Sequence, residues 1–154
     1  MKILILCSAL LWSVTALAQQ NAVRFVNPSS VSTPHGYSQA SLIDLGHSTL
    51  VILSGQVALD VKGNLVGKDD LEKQADQVFQ NIKNSIQELG GSMNDIVKLG
   101  YFITDVSKIQ AVRIVRDKYI NTRTPPASTL VQVNKLFRDD ILIEIEATAV
   151  IPKK

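Results

Sequence analysis

Apolar residues recur at helical spacing most clearly in one stretch of the chain. Leu71, Ala75, Val78, Phe79, Ile82, Ile86 and Leu89 fall on a single stripe of a 3.6-residue turn. The spacing predicts a helix from about Asp70 to Leu89. Asp69 and Glu72, three residues apart, suit its first turn as a capping pair. Gly90-Gly91 suits its end, where a left-handed residue closes the last turn. Lys73, Gln77, Gln80, Asn84 and Glu88 fill the other side and read as a solvated face. A shorter stripe of Ile109, Val112, Val115 and Tyr119 predicts a second helix, opened by a Ser107–Gln110 capping box and reaching about Ile120.

Elsewhere the period drops to two, the mark of strands. Arg24-Phe25-Val26 suits a short edge strand. Leu42 to Leu45 and Leu50 to Gln56 form a pair around the turn Gly46-His47-Ser48. In Ile96 to Thr104, Val97, Leu99, Tyr101 and Ile103 alternate with Lys98, Gly100, Phe102 and Thr104. Two strands close the chain, Ser128 to Val133 and Ile141 to Ile151, joined across an exposed Arg138-Asp139-Asp140 turn. The order is three strands, a helix, a strand, a helix and two strands. Two helices cannot cover both faces of five or six strands. The expected fold is therefore an α+β two-layer sandwich with a mostly antiparallel sheet and both helices on one face. Self-association is the economical way to cover the other face.

The last strand carries the first candidate chemistry. Ile141, Ile143 and Ile145 share its core face. Glu144 and Glu146 share the opposite one, roughly 7 Å apart along the strand. A polar face late in a small domain marks a candidate site or subunit interface, where Glu146 would raise the proton affinity of Glu144 by like-charge repulsion. The same pattern also fits solvated or salt-bridged acids on a polar sheet face.

Composition narrows the class. The chain has 154 residues, 45% hydrophobic and 19% charged, which fits one globular domain. A formal charge of +2 without a basic stripe gives no footprint for nucleic acid. His35 and His47 fall in loops, and neither has a partner at metal-ligand spacing. Lys2, the apolar run Ile3 to Val14 and the Ala16-Leu17-Ala18 site followed by Gln19-Gln20 form the pattern of a secretory signal peptide. The expected division is a signal peptide over 1–18 and one domain over 19–154; an uncleaved N-terminal anchor is the alternative. Cleavage would remove Lys2, taking the charge from +2 to +1, together with Cys7 and Trp12, the only cysteine and tryptophan. The mature chain would then carry no thiol chemistry. Its expected location is the periplasm or the exterior, with no membrane attachment after cleavage.

Five segments together, in their order and spacing, resemble the Rid family, the reactive intermediate deaminases also called YjgF-like. They are Gly36-Tyr37-Ser38-Gln39-Ala40, Ser54-Gly55-Gln56, Asp95-Ile96-Val97-Lys98, Pro126-Ala127 and Ile143-Glu144-Ile145-Glu146-Ala147. The resemblance runs from about Phe25 to Val150. It implies a chorismate-mutase-like fold, a homotrimer with clefts between subunits, and hydrolysis of small enamines or imines to a keto acid and ammonia. It also implies that neither a metal nor an organic cofactor is needed.

Carried onto this chain, the resemblance makes Glu144 the catalytic, water-handling carboxylate. Tyr37 and the strand end Ser54-Gly55 become the cleft lining. The alternative reading makes Tyr37 an edge of the core and Gly55 a simple bulge. The family's carboxylate-binding arginine does not carry over: Ser128, followed by Thr129, occupies its place. Both hydroxyls are candidate substrate-binding groups. Arg113 is a candidate replacement cation, against the alternative of a solvated arginine on the second helix. Three functions follow: a cofactor-free imine or enamine hydrolase, a non-catalytic trimeric binder of a small metabolite at the subunit cleft, and a ribonuclease. Near-neutral charge and unpaired histidines disfavour the last.

Overall fold

The computed structural model describes residues 22–154; the expected signal peptide, with Cys7 and Trp12, lies outside the described residues. Six strands form one sheet: β1 (Val23–Val26), β2 (Ala40–Asp44), β3 (Ser48–Gln56), β4 (Ile96–Ile103), β5 (Ala127–Gln132) and β6 (Ile143–Pro152). Their spatial order is β1-β2-β3-β6-β4-β5. Every pairing is antiparallel except β4 with β5, which is parallel. The crossover between those two strands contains helix α2 (Ile109–Arg116), and helix α1 (Leu71–Glu88) connects β3 to β4. The two-layer α+β architecture is the one the periodicity implies.

The core lies between the helices and one sheet face. Val78, Phe79, Ile82 and Ile86 of α1 meet Val51 and Leu53 of β3, Leu99 and Ile103 of β4, and Ile143 and Ile145 of β6, all at 2% exposure or less. Each such side chain contributes about 1.5–3 kcal/mol on burial. The other face lies open. It carries Ile52, Phe102, Thr129, Val131, Glu144, Glu146 and Thr148, none of them buried.

Local signals differ from the sequence expectation in several places. Asp70, not Asp69, caps α1, its carboxylate accepting from the Lys73 amide. Asp69 instead turns the chain in the left-handed region, at φ 59°. The end of α1 is as expected: Gly90 takes φ 90°, and the Gly91 and Gly90 amides donate to the carbonyls of Ile86 and Gln87. The Ser107–Gln110 box does not form. Asp105 accepts from the Ser107 amide and opens a short 3-10 turn, Val106–Lys108, ahead of α2. Helix α2 ends at Arg116, and Ile120 is reached through a turn. Val97 breaks its alternation because the β4–β6 register shifts between Ile96 and Lys98, which leaves it exposed.

Candidate functional site

The β3–β6 ladder also slips, between Leu53 and Gln56, so Ser54-Gly55 forms a bulge on β3. The space over Gly55 is filled by Glu144. A β-carbon at residue 55 would stand 2.7 Å from the Glu144 carboxyl carbon and closer still to Oε1. The missing side chain therefore admits a catalytic candidate of the protein itself, so the bulge and the close approach are one feature. Glu146 lies in the same way over Gly100 on β4, where a β-carbon would be 2.5 Å from Oε1.

Glu144 opens into a cleft of about 670 Å³ whose lining includes Tyr37, Gln39, Ser54, Gly55, Gln56 and Phe137. Two buried glutamines brace the wall. Gln56 Nε2 donates to Gln39 Oε1 at 2.8 Å and to the Ser54 carbonyl at 3.0 Å. Gln39 Nε2 donates to the Ser32 carbonyl at 2.8 Å. The Ser54 hydroxyl donates to the Ser38 carbonyl at 2.7 Å, so its proton is committed and its lone pairs remain for a ligand. Asn81 of α1 donates to the carbonyls of Val57 and Leu59, fixing the segment after β3 that continues the lining.

Burial pushes the half-buried Glu144 carboxyl above the usual carboxylate range, and the charge of Glu146 adds to the rise. Burial likewise raises Tyr37, with Glu144 adding to it, so Tyr37 keeps its proton and can donate. A carboxylate with raised proton affinity beside a tyrosine donor and fixed amides is equipped to take and return a proton of water. The cleft lining contains neither lysine nor arginine.

The seven expected site residues thus separate within one chain. Tyr37, Ser54, Gly55 and Glu144 share the cleft. Arg113 and Ser128 lie together in a smaller groove between α2 and β5, on the helix side of the sheet, as Ser128 pairs with the buried Leu99. Thr129 faces the open side, where the Lys98 ammonium donates to its hydroxyl. Gln56 and Phe137 also line the cleft, beyond the sequence expectation. Gln39 lies inside the Gly36–Ala40 segment of the family resemblance, which was the available signal for it; nothing local marks Phe137.

The family model described as Endoribonuclease L-PSP matches residues 28–151. A 2-iminobutanoate/2-iminopropanoate deaminase from Salmonella typhimurium is 36% identical over 110 residues, covering 70% of this chain and 83% of that protein. Among solved structures, RidA from the Antarctic bacterium Psychrobacter aligns with a TM-score of 0.72 and 31% identity, covering 83% of this chain and 99% of its own. Escherichia coli TdcF with bound serine aligns with a TM-score of 0.69 and 29% identity, covering 82% and 98%.

Proposed function

The chain belongs to the L-PSP endoribonuclease, or Rid, family, and from that membership we propose that its cleft hydrolyses small imines or enamines to a carbonyl compound and ammonia. The observation that carries the reading is the Glu144 carboxylate, seated over Gly55 in a walled cleft with its proton affinity raised. Water adds to the imine carbon while Glu144 takes one of its protons and passes it to the imine nitrogen. The resulting carbinolamine loses ammonia as Glu144 takes the hydroxyl proton and delivers it to the amino nitrogen. The C–N bond breaks, the C=O bond forms, and imine plus water become carbonyl compound plus ammonia. Tyr37 donates to the substrate, and the lone pairs of the Ser54 hydroxyl accept from it. No metal or organic cofactor enters these steps.

The deaminase relative acts on 2-imino acids, and the TdcF neighbour holds serine, also an amino-acid carboxylate. A cleft with Glu144 and neither lysine nor arginine in its lining would repel such a substrate in a lone chain. We infer that the chain assembles as a homotrimer, the open sheet face with Ile52 and Val131 providing apolar contact. A neighbouring subunit's groove would then bring the missing charge to the cleft. Export, read from the N-terminal segment, would place the reaction in the periplasm or outside the cell.

The test is ammonia release from a 2-imino acid generated in situ, followed with and without the protein. A rate above the spontaneous one supports hydrolysis. Ligand-induced thermal stabilisation without turnover would favour the non-catalytic metabolite binder instead.

A further inference from the structure

The groove between α2 and β5 has the features of an anion site. Ile109, Val112, Arg113 and Arg116 recur at i, i+3, i+4 and i+7 on one face of α2, opposite Ser128 and Leu130 on one face of β5. Its inner end is Tyr101 of β4, which is 6% exposed and packs against the Phe79 ring at 6.4 Å. The Tyr101 hydroxyl is buried and has no hydrogen-bond partner in the chain. A buried unpaired hydroxyl is costly unless something fills the place.

Charge narrows what that is. Arg116 is held by Asp117, with Nε donating at 2.8 Å and Nη2 at 2.7 Å from Oδ1. Arg113 makes no ion pair among the described residues. Two arginines against Asp117 leave one net positive charge, suited to a monoanion. The space is about 90 Å³, room for a small planar anion. Burial holds the Tyr101 hydroxyl at a pKa of about 12, opposed by Arg116, so it is a donor throughout the physiological range.

We propose that this groove is a carboxylate subsite, in which Tyr101 donates a hydrogen bond, Arg113 supplies the charge and Ser128 provides a second hydroxyl. It does the work of the arginine absent at position 128. Its identification with the carboxylate of a 2-imino acid rests on the proposed hydrolysis. The groove would then hold that carboxylate while Glu144 of a neighbouring subunit handles water.

The test is calorimetric titration of the full-length protein with sodium pyruvate, repeated on Tyr101→Phe, Arg113→Gln and Glu144→Gln. Pyruvate is expected to bind the wild type. Tyr101→Phe and Arg113→Gln should each weaken it by about tenfold or more, whereas Glu144→Gln should not. Because Tyr101→Phe deletes an unpartnered hydroxyl, the free variant should melt no lower than wild type while losing its stabilisation by pyruvate. A purely structural tyrosine would show no such split. No pyruvate binding, unchanged affinity in both groove variants, or inorganic phosphate binding as tightly as pyruvate would each overturn the subsite. Pyruvate binding of this form without imine turnover would remove the proposed hydrolysis and leave the subsite. Turnover with KM unchanged in both groove variants would do the reverse.

Discussion

Glu144 rests on Gly55: a residue without a β-carbon occupies the bulge directly beneath the carboxylate, with 2.7 Å from that absent atom to the carboxyl carbon. Gly55→Ala must therefore push the carboxylate aside, although no positive φ forbids alanine there. Imine hydrolysis should fall by roughly a hundredfold, the scale of an ångström-sized misplacement. Overpacking should cost about 1–3 kcal/mol of stability. Paired kinetic and urea-unfolding measurements check this, with Gly100→Ala, which displaces Glu146 instead, as the comparison. An equal loss of rate in both variants would count against a special place for Glu144.

Stability should report the raised proton affinity of Glu144. Its folded carboxyl holds a proton more tightly than the unfolded chain does, because of burial and then Glu146. The stability contributed by that proton is complete below about pH 4, where both states are protonated, and is lost as pH rises through the folded value. Glu144→Gln has no proton to lose there. Its melting temperature should gain on the wild type as pH rises from about 4 through the folded value. A difference that stays constant or shrinks with rising pH would contradict the cause assigned here.

The Phe137 wall of the cleft hangs on a buried glutamine. Gln74, fully buried on α1, donates to the carbonyls of Gly67 and Asp140 and accepts from the Leu142 amide at 2.8 Å. Gln74→Leu strands these groups and should cost about 3 kcal/mol in chemical denaturation. It should also raise KM by loosening the loop that bears Phe137. A change under about 0.5 kcal/mol would place the variant with ordinary surface substitutions and refute the tether.

If Arg113 replaces the arginine absent at 128, the two positions should be interchangeable. Ser128→Arg introduced into Arg113→Gln should recover roughly tenfold or more in pyruvate affinity, the scale of one charge-assisted hydrogen bond. In the wild-type background it should add less, since the groove already has its cation. Equal gains in both backgrounds would show that the two sites do not share a task.

Much of the scaffold is legible in local pattern. The α1 stripe and the alternation of Ile143, Glu144, Ile145 and Glu146 depend only on neighbours in sequence, and both survive in the structure. What depends on strand order is not legible. Glu144 and Ser128 belong to strands separated by β4 and face opposite sides of the sheet, so the expected site divides into a cleft and a groove. Two adjacent aspartates, 69 and 70, compete for one cap, and only backbone conformation decides between them. Tyr101 reads as ordinary core in the alternation of β4; its lack of a partner emerges only once α2 and β5 are in place.

The claim that Glu144 handles the water is tested most directly by the pH dependence of kcat/KM for 2-imino acid hydrolysis in wild type and Glu144→Gln. The wild-type rate should rise with pH through an inflection above the ordinary glutamate value of about 4.3, because the base form is needed and its proton is held tightly. In Glu144→Gln the inflection should vanish and the rate fall by about a hundredfold or more. A variant that keeps both the wild-type rate and the inflection would contradict the account.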